Sequence, residues 1–238
     1  MHYLPVLSTI ITLIFTLTVF NRYRQRGGVH LLLWGFGLVF YGLGTGMEIV
    51  LSVAFTGLAL KVWYLCGAML TAAWLGQGSV NLLVRRGGVA KALNILLVLV
   101  SLAALGFVLV APLRSAADFH VTEPVSAQYK EILTRTGPMI ALTILLNIYG
   151  TLTLVGGALF SAFLFWRKKV LANRMFGNIL IAAGAMLPAM GGSFLRAGLP
   201  DWLYLSEFLG VIVMYAGFGL ATAPQPVLTA SAPAPGAD

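Results

Sequence analysis

The sequence predicts an all-α membrane protein, a polytopic bundle of seven transmembrane helices, and three observations lead to this fold class. Of the 238 residues, 59% are hydrophobic and 9% are charged, with a mean hydropathy of +0.93. Soluble domains contain about 25% charged residues, so this chain has too few to cover a surface that faces water. Stretches of about 20 apolar residues, enough to cross roughly 30 Å of hydrocarbon, recur along the chain. Backbone groups in lipid must pair within their own segment, so each stretch is predicted to be a helix.

The predicted helices follow one another through a single transmembrane domain, residues 1–222. The first stretch has the length of a signal peptide, but its basic residues follow it and it lacks a small-residue cleavage site, so we interpret it as a span. Residues 223–238 are rich in Pro, Ala and Ser and are expected to form a disordered cytoplasmic tail. The seven predicted spans are residues 4–20, 30–54, 58–83, 90–111, 138–165, 175–196 and 202–222.

Alternate connections between the spans differ in charge. Residues 21–28, 84–91 and 166–174 together hold ten of the fifteen Lys and Arg residues and no acidic residue. Because basic loops stay in the cytoplasm, this predicts a bacterial inner-membrane protein with its N-terminus outside and its C-terminus in the cytoplasm. The same rule accounts for the net charge of +8, so nucleic acid is not expected as a partner.

The longest connection, residues 112–137, is polar and mixed in charge. Within it, PVSAQYKEILTRTGP places Val125, Tyr129, Ile132 and Leu133 on one face of a helix. This pattern predicts a short amphipathic helix that caps the outer mouth of the bundle.

The chain lacks the residue patterns of metal and cofactor chemistry. Its one cysteine, Cys66, lies in an apolar stretch, and His2, His30 and His120 are far apart. No metal or cofactor is therefore expected. A nucleophile–base pair and a phosphate-binding loop are missing as well, which favours a protein that is not an enzyme.

Two carboxylates are predicted to lie inside the membrane. Glu48 precedes the outer end of the second span, and Glu207 follows the outer end of the seventh, each by about five residues or roughly 8 Å. A charge in hydrocarbon costs ~3 kcal/mol, so we expect both to face the bundle interior and to pair with Arg196 or Lys61. The alternatives are that one carboxyl group is protonated, that the charges only hold helices together, or that they reach water.

A wider set of polar and aromatic residues is predicted to surround these carboxylates. Three other amide side chains, Gln77, Asn81 and Asn178, are expected instead to form hydrogen bonds between helices. The candidate ligand-binding residues are Glu48, Lys61, Trp63, Tyr64, Asn147, Arg196 and Glu207.

Small residues and one proline indicate how the helices pack and bend. Glycines in the second, fifth and sixth spans, such as Gly42 and Gly46, predict close helix contacts. Pro188 removes a backbone hydrogen bond from the sixth span, and Gly191 and Gly192 follow it. The sixth span is therefore expected to kink and to be the most deformable.

With seven spans, an outside N-terminus and a texture of glycines and aromatic residues such as GFGLVFYGLGTG at 35–46, the chain resembles uncharacterised bacterial seven-helix membrane proteins. In outline it also resembles the seven-helix input domains of some bacterial histidine kinases. A retinal protein is excluded, because WLYLSEFLGVIVMYAGFGL has no lysine for a Schiff base.

Three functions fit these features. The first is a sensor or binding module that holds a small amphiphile or lipid in an outer-leaflet cavity. It would signal to a cytoplasmic or membrane protein partner through the basic loops. The second is a proton-coupled carrier that uses the carboxylates and a polar path through Asn147 and Gln77. The third is a structural subunit or assembly factor. The three functions differ in where water reaches the interior of the bundle. A sensor is expected to have a cavity open only to the outside, a carrier to be reached by water from both faces, and a structural subunit to have a sealed interior.

Overall fold

The computed structural model describes residues 3–84, 88–114, 119–168 and 172–223, without the side chains of residues 192, 195, 196, 200 and 201. Within these ranges the chain is helical, apart from turns and one isolated antiparallel bridge between Leu113 and Leu133. The predicted tail and parts of two basic loops, residues 85–87 and 169–171, lie outside the described ranges.

Ten α-helices and one π-helical segment make up the described chain. The π-helical segment, Tyr64–Leu70, joins α3 to α4 without a break, so Gly57–Leu83 is one continuous helical rod. The α-helices are α1 (Tyr3–Arg26), α2 (Val29–Val53), α3 (Gly57–Trp63), α4 (Thr71–Leu83), α5 (Val89–Val110), α6 (Val125–Ile132), α7 (Gly137–Arg167), α8 (Ala172–Ala189), α9 (Gly191–Arg196) and α10 (Pro200–Thr222).

Six of the described helices are long and apolar enough to cross a membrane, which confirms an α-helical, multi-pass membrane-type bundle. The sixth predicted span differs from the single helix expected over 175–196, because α8 ends at Ala189 and α9 begins at Gly191. Pro188 has no N–H with which to continue the helical ladder, and the chain turns directly after it. The six helices are Tyr3–Arg26, Val29–Val53, Gly57–Leu83, Val89–Val110, Gly137–Arg167 and Trp202–Thr222.

Glycines bring pairs of helices into backbone contact, but the predicted positions Gly42 and Gly46 do not: a Cβ atom at Gly42 would meet only the side chain of Thr12, at 3.3 Å, and one at Gly46 would meet nothing within 4 Å. A Cβ atom at Gly150 on α7 would stand 2.2 Å from the backbone carbon of Ala72 on α4. The antiparallel pair α8 and α10 meets at two levels. A Cβ atom at Gly177 would be 2.6 Å from the oxygen of Gly217, and one at Gly184 would be 2.7 Å from the oxygen of Gly210. Only glycine lets these backbones approach so closely.

The connection between α5 and α7 folds over one end of the bundle. The predicted amphipathic helix is confirmed as α6, and Val125 and Ile132 on its apolar face are buried. Gln128 fixes the loop before α6, because its Oε1 accepts from the backbone N–H of His120 at 2.8 Å and its Nε2 donates to the oxygen of His120 at 2.8 Å. We call this end of the molecule the α6 end.

Candidate functional site

A cavity of about 420 Å³ lies between the helices, beneath α6. Its wall combines two carboxyl groups with tyrosine and tryptophan rings, hydroxyl groups and aliphatic side chains. It is bounded by α2, α3, the π-helical segment, α4, α6, α7, α8 and α10. The lining residues that matter below are Tyr41, Glu48, Trp63, Leu75, Ser126, Tyr129, Thr143, Asn147, Leu154, Ala189, Glu207 and Met214.

Glu48 is the most deeply buried acidic group of this wall, with an exposed fraction of 3%. It lies on the inner face of α2, seven residues after Tyr41, so that both side chains share one helix face. The Nε1–H of Trp63 donates to Glu48 Oε1 at 2.9 Å. The second oxygen, Oε2, is buried and has no hydrogen-bond partner among the described residues. One half of this carboxyl group is therefore held in place, and the other half is unpartnered.

Glu207 reaches the same cavity from α10. The hydroxyl group of Tyr41 donates to the backbone oxygen of Glu207 at 2.9 Å and so fixes α10 against α2 at this level. The carboxyl groups of Glu48 and Glu207 interact electrostatically. The structure thus brings together the two acidic residues that the sequence singled out, and their binding of a ligand stays a prediction.

One of the two predicted cationic partners, Lys61, does not lie beside these carboxyl groups. Lys61 is not part of the cavity wall, because its Nζ donates to the backbone oxygen of Leu109 at 2.7 Å, in the last turn of α5. A lysine that satisfies a free carbonyl at a helix C-terminus is favourably placed, which accounts for this position. The expected pairing of Glu48 with Lys61 is therefore wrong. The side chain of Arg196 lies outside the described part of the structure, so its pairing stays a prediction.

Aromatic rings close the α6 end of the cavity. The ring of Tyr129 on α6 packs 5.2 Å from that of Trp63 and 5.6 Å from that of Tyr64. On its other side the guanidinium group of Arg135 lies 5.1 Å from the ring centre of Tyr129. Burial raises the pKa of the Tyr129 phenol, while the charge of Arg135 acts in the opposite direction. The phenol is thus neutral at physiological pH.

Tyr64 supports the wall without lining the cavity. Its side chain is buried, and its hydroxyl group lies 2.9 Å from Thr143 Oγ1. Because the Thr143 hydroxyl donates to the backbone oxygen of Met139 at 2.8 Å, Tyr64 is the donor in the first of these bonds. Tyr64 therefore positions Thr143, which does line the cavity.

The π-helical segment forms one side of the cavity and depends on two side-chain donors. Asn147 Nδ2 donates to the backbone oxygens of Ala68, at 2.7 Å, and Thr143, at 2.8 Å. Thr71 Oγ1 donates to the oxygen of Cys66 at 2.8 Å. A π-helical turn is wider than an α-helical one and is frequent at functional sites. Since both amide hydrogens of Asn147 are used, only its Oδ1 remains as an acceptor.

A second polar group lies farther from α6, between α4, α5 and α7, and we call it the amide cluster: Gln77, Asn81, Asn94 and Tyr149. Gln77 Nε2 donates to Asn94 Oδ1 and to the oxygen of Ala90, and Tyr149 donates to Gln77 Oε1. Asn81 and Asn94 exchange hydrogen bonds of 2.7 and 3.1 Å. The cluster does not line the cavity. Hydrogen bonding between helices, predicted for Gln77 and Asn81, is confirmed.

Asn178, for which the same bonding was predicted, differs from the cluster residues. Its Nδ2 donates to the backbone oxygen of Arg174, one turn earlier in α8. The bond that the structure shows for this amide is therefore local to one helix.

Some lining residues were not identified from the sequence. Tyr41 could have been found, because it lies two helical turns before Glu48 on the same face. Ser126, which is buried with an unpartnered Oγ, and Thr143 carry no such signal. Among the described residues, no group of three or more His, Cys, Asp and Glu side chains could hold a metal ion.

Similarity to known proteins gives no indication of what this site binds. No protein-family model matches the chain, and no curated protein or solved structure is significantly similar to it.

Proposed function

We propose that this chain is a seven-span protein of the bacterial cytoplasmic membrane that binds a small amphiphile or lipid in the cavity beneath α6 and acts as a sensor. The observation that carries the proposal is Glu48 Oε2, a buried carboxyl oxygen on the cavity wall that has no hydrogen-bond partner among the described residues. A buried polar atom left unpaired costs about 1–3 kcal/mol, and a ligand that donates a hydrogen bond removes this cost.

The antiparallel packing of α8 and α10 supports a seventh span. On α10, Leu203 contacts Gly191 of α9, and Ala221, farther along the same helix, contacts Gly177 of α8. Eighteen residues of α-helix rise about 27 Å, close to the thickness of the hydrocarbon core. Since α10 is itself long and apolar enough to cross, α8 and α9 together extend over nearly the same height.

The basic connections support an N-terminus outside and a C-terminus in the cytoplasm. Reporters fused before Met1 and after Asp238 test this arrangement. Seven spans require the two termini on opposite sides, with the second reporter in the cytoplasm, whereas six spans require them on the same side. Two cytoplasmic termini would contradict both the count and the orientation.

The size of the cavity and the polar atoms on its wall favour ligand binding over a purely structural role. Small-molecule sites are typically about 300–1,000 Å³, mostly apolar, with a few polar groups that fix orientation. The cavity has this size, and both Glu48 Oε2 and Ser126 Oγ on its wall have no hydrogen-bond partner within the described ranges. Carboxyl groups that served only to join helices would be expected to find partners in neighbouring helices.

A carrier remains the second candidate, because Glu48 and Glu207 could bind and release protons. A carrier needs a polar route toward the opposite face. Below the carboxyl groups the cavity wall includes Leu75 and Leu154, and Gln77 is held in the amide cluster. This arrangement favours sensing over transport.

A signal from the cavity has a physical route through α8. Pro188 and Ala189 line the cavity at the point where α8 ends and α9 begins. The other end of α8 follows the basic connection 166–174, where a cytoplasmic or membrane protein partner would bind. A ligand that pressed on the Pro188 break would shift α8 against α10.

Co-purification tests binding directly. The full chain is purified in a mild detergent and its bound lipids and small molecules are identified by mass spectrometry. Ala185→Phe should displace the ligand, because Ala185 is buried on the cavity wall and the larger ring would occupy part of the cavity. Ala183→Phe, on the exposed side of the same helix, is the matched control. Equal ligand content in the wild type and both variants would contradict the proposal.

A further inference from the structure

The charge balance of the cavity is incomplete. Its wall carries the carboxyl groups of Glu48 and Glu207, and no lining residue whose side chain the structure describes is basic. The Trp63 indole holds one oxygen of Glu48, and the other oxygen is buried and has no partner in the part of the chain that the structure describes. Charged groups in the membrane interior are paired or neutralised, because an isolated one costs several kcal/mol. The cavity therefore has room and acceptors for a positively charged group.

The aromatic residues of the wall suit a cation as well. Tyr41, Trp63 and Tyr129 all contribute to it. Tyr129 already has a guanidinium group, that of Arg135, over its ring at 5.1 Å. The faces of such rings attract cations, most strongly where water is excluded.

A primary ammonium group fits the acceptors better than a quaternary one. It has three N–H donors, whereas a quaternary ammonium has none, and Glu48 Oε2 needs a donor. An alkyl chain attached to it would lie against the apolar part of the wall, which includes Leu75, Leu154 and Met214. A metal ion fits less well, because the described residues offer no group of three His, Cys, Asp or Glu ligands.

We infer that the cavity binds the primary ammonium group of an alkylamine or of an amine-bearing lipid, with Glu48 Oε2 accepting its hydrogen bond and Glu207 adding the second negative charge. This inference rests on the proposed function, since it names the chemistry of the ligand of the same cavity.

The test compares two probes of equal length, n-hexylammonium and n-hexanol. They differ in charge and in the number of donors, while their alkyl chains are the same. The full chain is purified in dodecyl maltoside, whose headgroup is uncharged, and affinity is measured by calorimetry and by the shift in Tm, at constant ionic strength with NaCl. Hexylammonium should bind at least about tenfold more tightly, the effect of one charge-assisted hydrogen bond.

Glu48→Gln sharpens the comparison, because the amide keeps the volume and an acceptor for Trp63. Hexylammonium affinity should fall about 10- to 100-fold, while the affinity for hexanol stays unchanged.

The outcomes separate this inference from the proposed function. Hexanol binding as tightly as hexylammonium would overturn the inference and leave a cavity that binds small molecules. Failure of both probes to bind the wild type overturns the inference, and the proposed function falls only if no ligand co-purifies either. Lysophosphatidylethanolamine compared with lysophosphatidylglycerol shows whether the ammonium group comes from a lipid headgroup or from a soluble amine.

Discussion

The cavity and the amide cluster are both polar regions inside one helical bundle, but they differ in how completely their atoms are paired. In the amide cluster, the Gln77 side chain donates to Asn94 and Ala90 and accepts from Tyr149. In the cavity, Glu48 Oε2 and Ser126 Oγ are buried and find no hydrogen-bond partner among the side chains and backbone groups that the structure describes. A complete set of hydrogen bonds is what helix packing requires, whereas an incomplete set beside an empty volume indicates that something else binds there.

The largest stability effect is expected in the amide cluster. Gln77→Leu leaves the Tyr149 hydroxyl and the oxygen of Ala90 without their partner, so the free energy of unfolding should fall by about 2–4 kcal/mol. Asn178→Leu is the control, because Asn178 bonds only to Arg174 in its own helix, and about 0.5 kcal/mol or less is expected. Thermal and denaturant unfolding in detergent measure both, and equal effects would contradict the comparison.

The contact of Gly150 with Ala72, which joins the amide cluster to the cavity, should give the next largest effect on the free energy of unfolding. Gly150 follows Tyr149 of the amide cluster and packs against Ala72, a lining residue of the cavity. In Gly150→Ala the new Cβ atom would stand 2.2 Å from the Ala72 backbone, so α4 and α7 must separate. We expect a loss of about 1–3 kcal/mol.

Gly156 on the same helix provides the matched control for Gly150. A Cβ atom there meets nothing within 4 Å, so Gly156→Ala should be neutral or slightly stabilising. Unfolding measured side by side gives the difference. If Gly156→Ala were as destabilising as Gly150→Ala, the close contact of α4 and α7 would not be the cause.

Residue type and position along the chain were enough to predict much of this molecule. Hydropathy located the helices, because a lipid-facing segment must be apolar over its whole length. The scarcity of charges located Glu48 and Glu207, and the face of four apolar residues located α6. Pro188 indicated the interruption between α8 and α9.

The partners of the buried groups could not be predicted in the same way. Arg196 or Lys61 was expected beside Glu48, but Lys61 donates to a backbone oxygen at the C-terminal end of α5, and the donor to Glu48 among the described residues is Trp63. Which side chains meet depends on helix rotation, and the sequence carries little information on it. The π-helical segment had no sequence signal, because its wide turn depends on donors from Asn147, on a different helix, and Thr71.

A smaller effect is expected at the break between α8 and α9. Pro188→Ala restores a backbone donor for the oxygen of Gly184, so the last turns of α8 should straighten, with a gain of about 0.5–1.5 kcal/mol. A straighter α8 should also respond less to a ligand. Hydrogen exchange over residues 186–196, with and without hexylammonium, measures both effects.

Pro138→Ala is the control for the proline variant. Pro138 lies in the first turn of α7, where no helical hydrogen bond is lost, so its replacement should change exchange very little. Unchanged exchange and an unchanged response in Pro188→Ala would show that the proline serves packing alone.

The smallest stability effect, with the clearest loss of function, is expected for Glu48→Gln. The new amide oxygen continues to accept from Trp63 Nε1, and the NH₂ group takes the place of Oε2 in the same volume. We expect the free energy of unfolding to change by less than about 1 kcal/mol, because one unpartnered polar group replaces another. Ligand co-purification and hexylammonium binding should be lost all the same.

A structural role predicts the opposite result for this variant. If Glu48 belonged to a buried ion pair that holds helices together, removing its charge would leave the partner uncompensated and cost about 3–5 kcal/mol. Glu48→Leu provides an upper reference, because it removes the same charge and also deprives the Trp63 N–H of its acceptor, so it should cost about 1–3 kcal/mol more than Glu48→Gln in either case. If Glu48→Gln costs less than about 1 kcal/mol and also lacks ligand, then Oε2 binds a ligand. If Glu48→Gln costs about 3–5 kcal/mol, Glu48 is a packing residue, like those of the amide cluster.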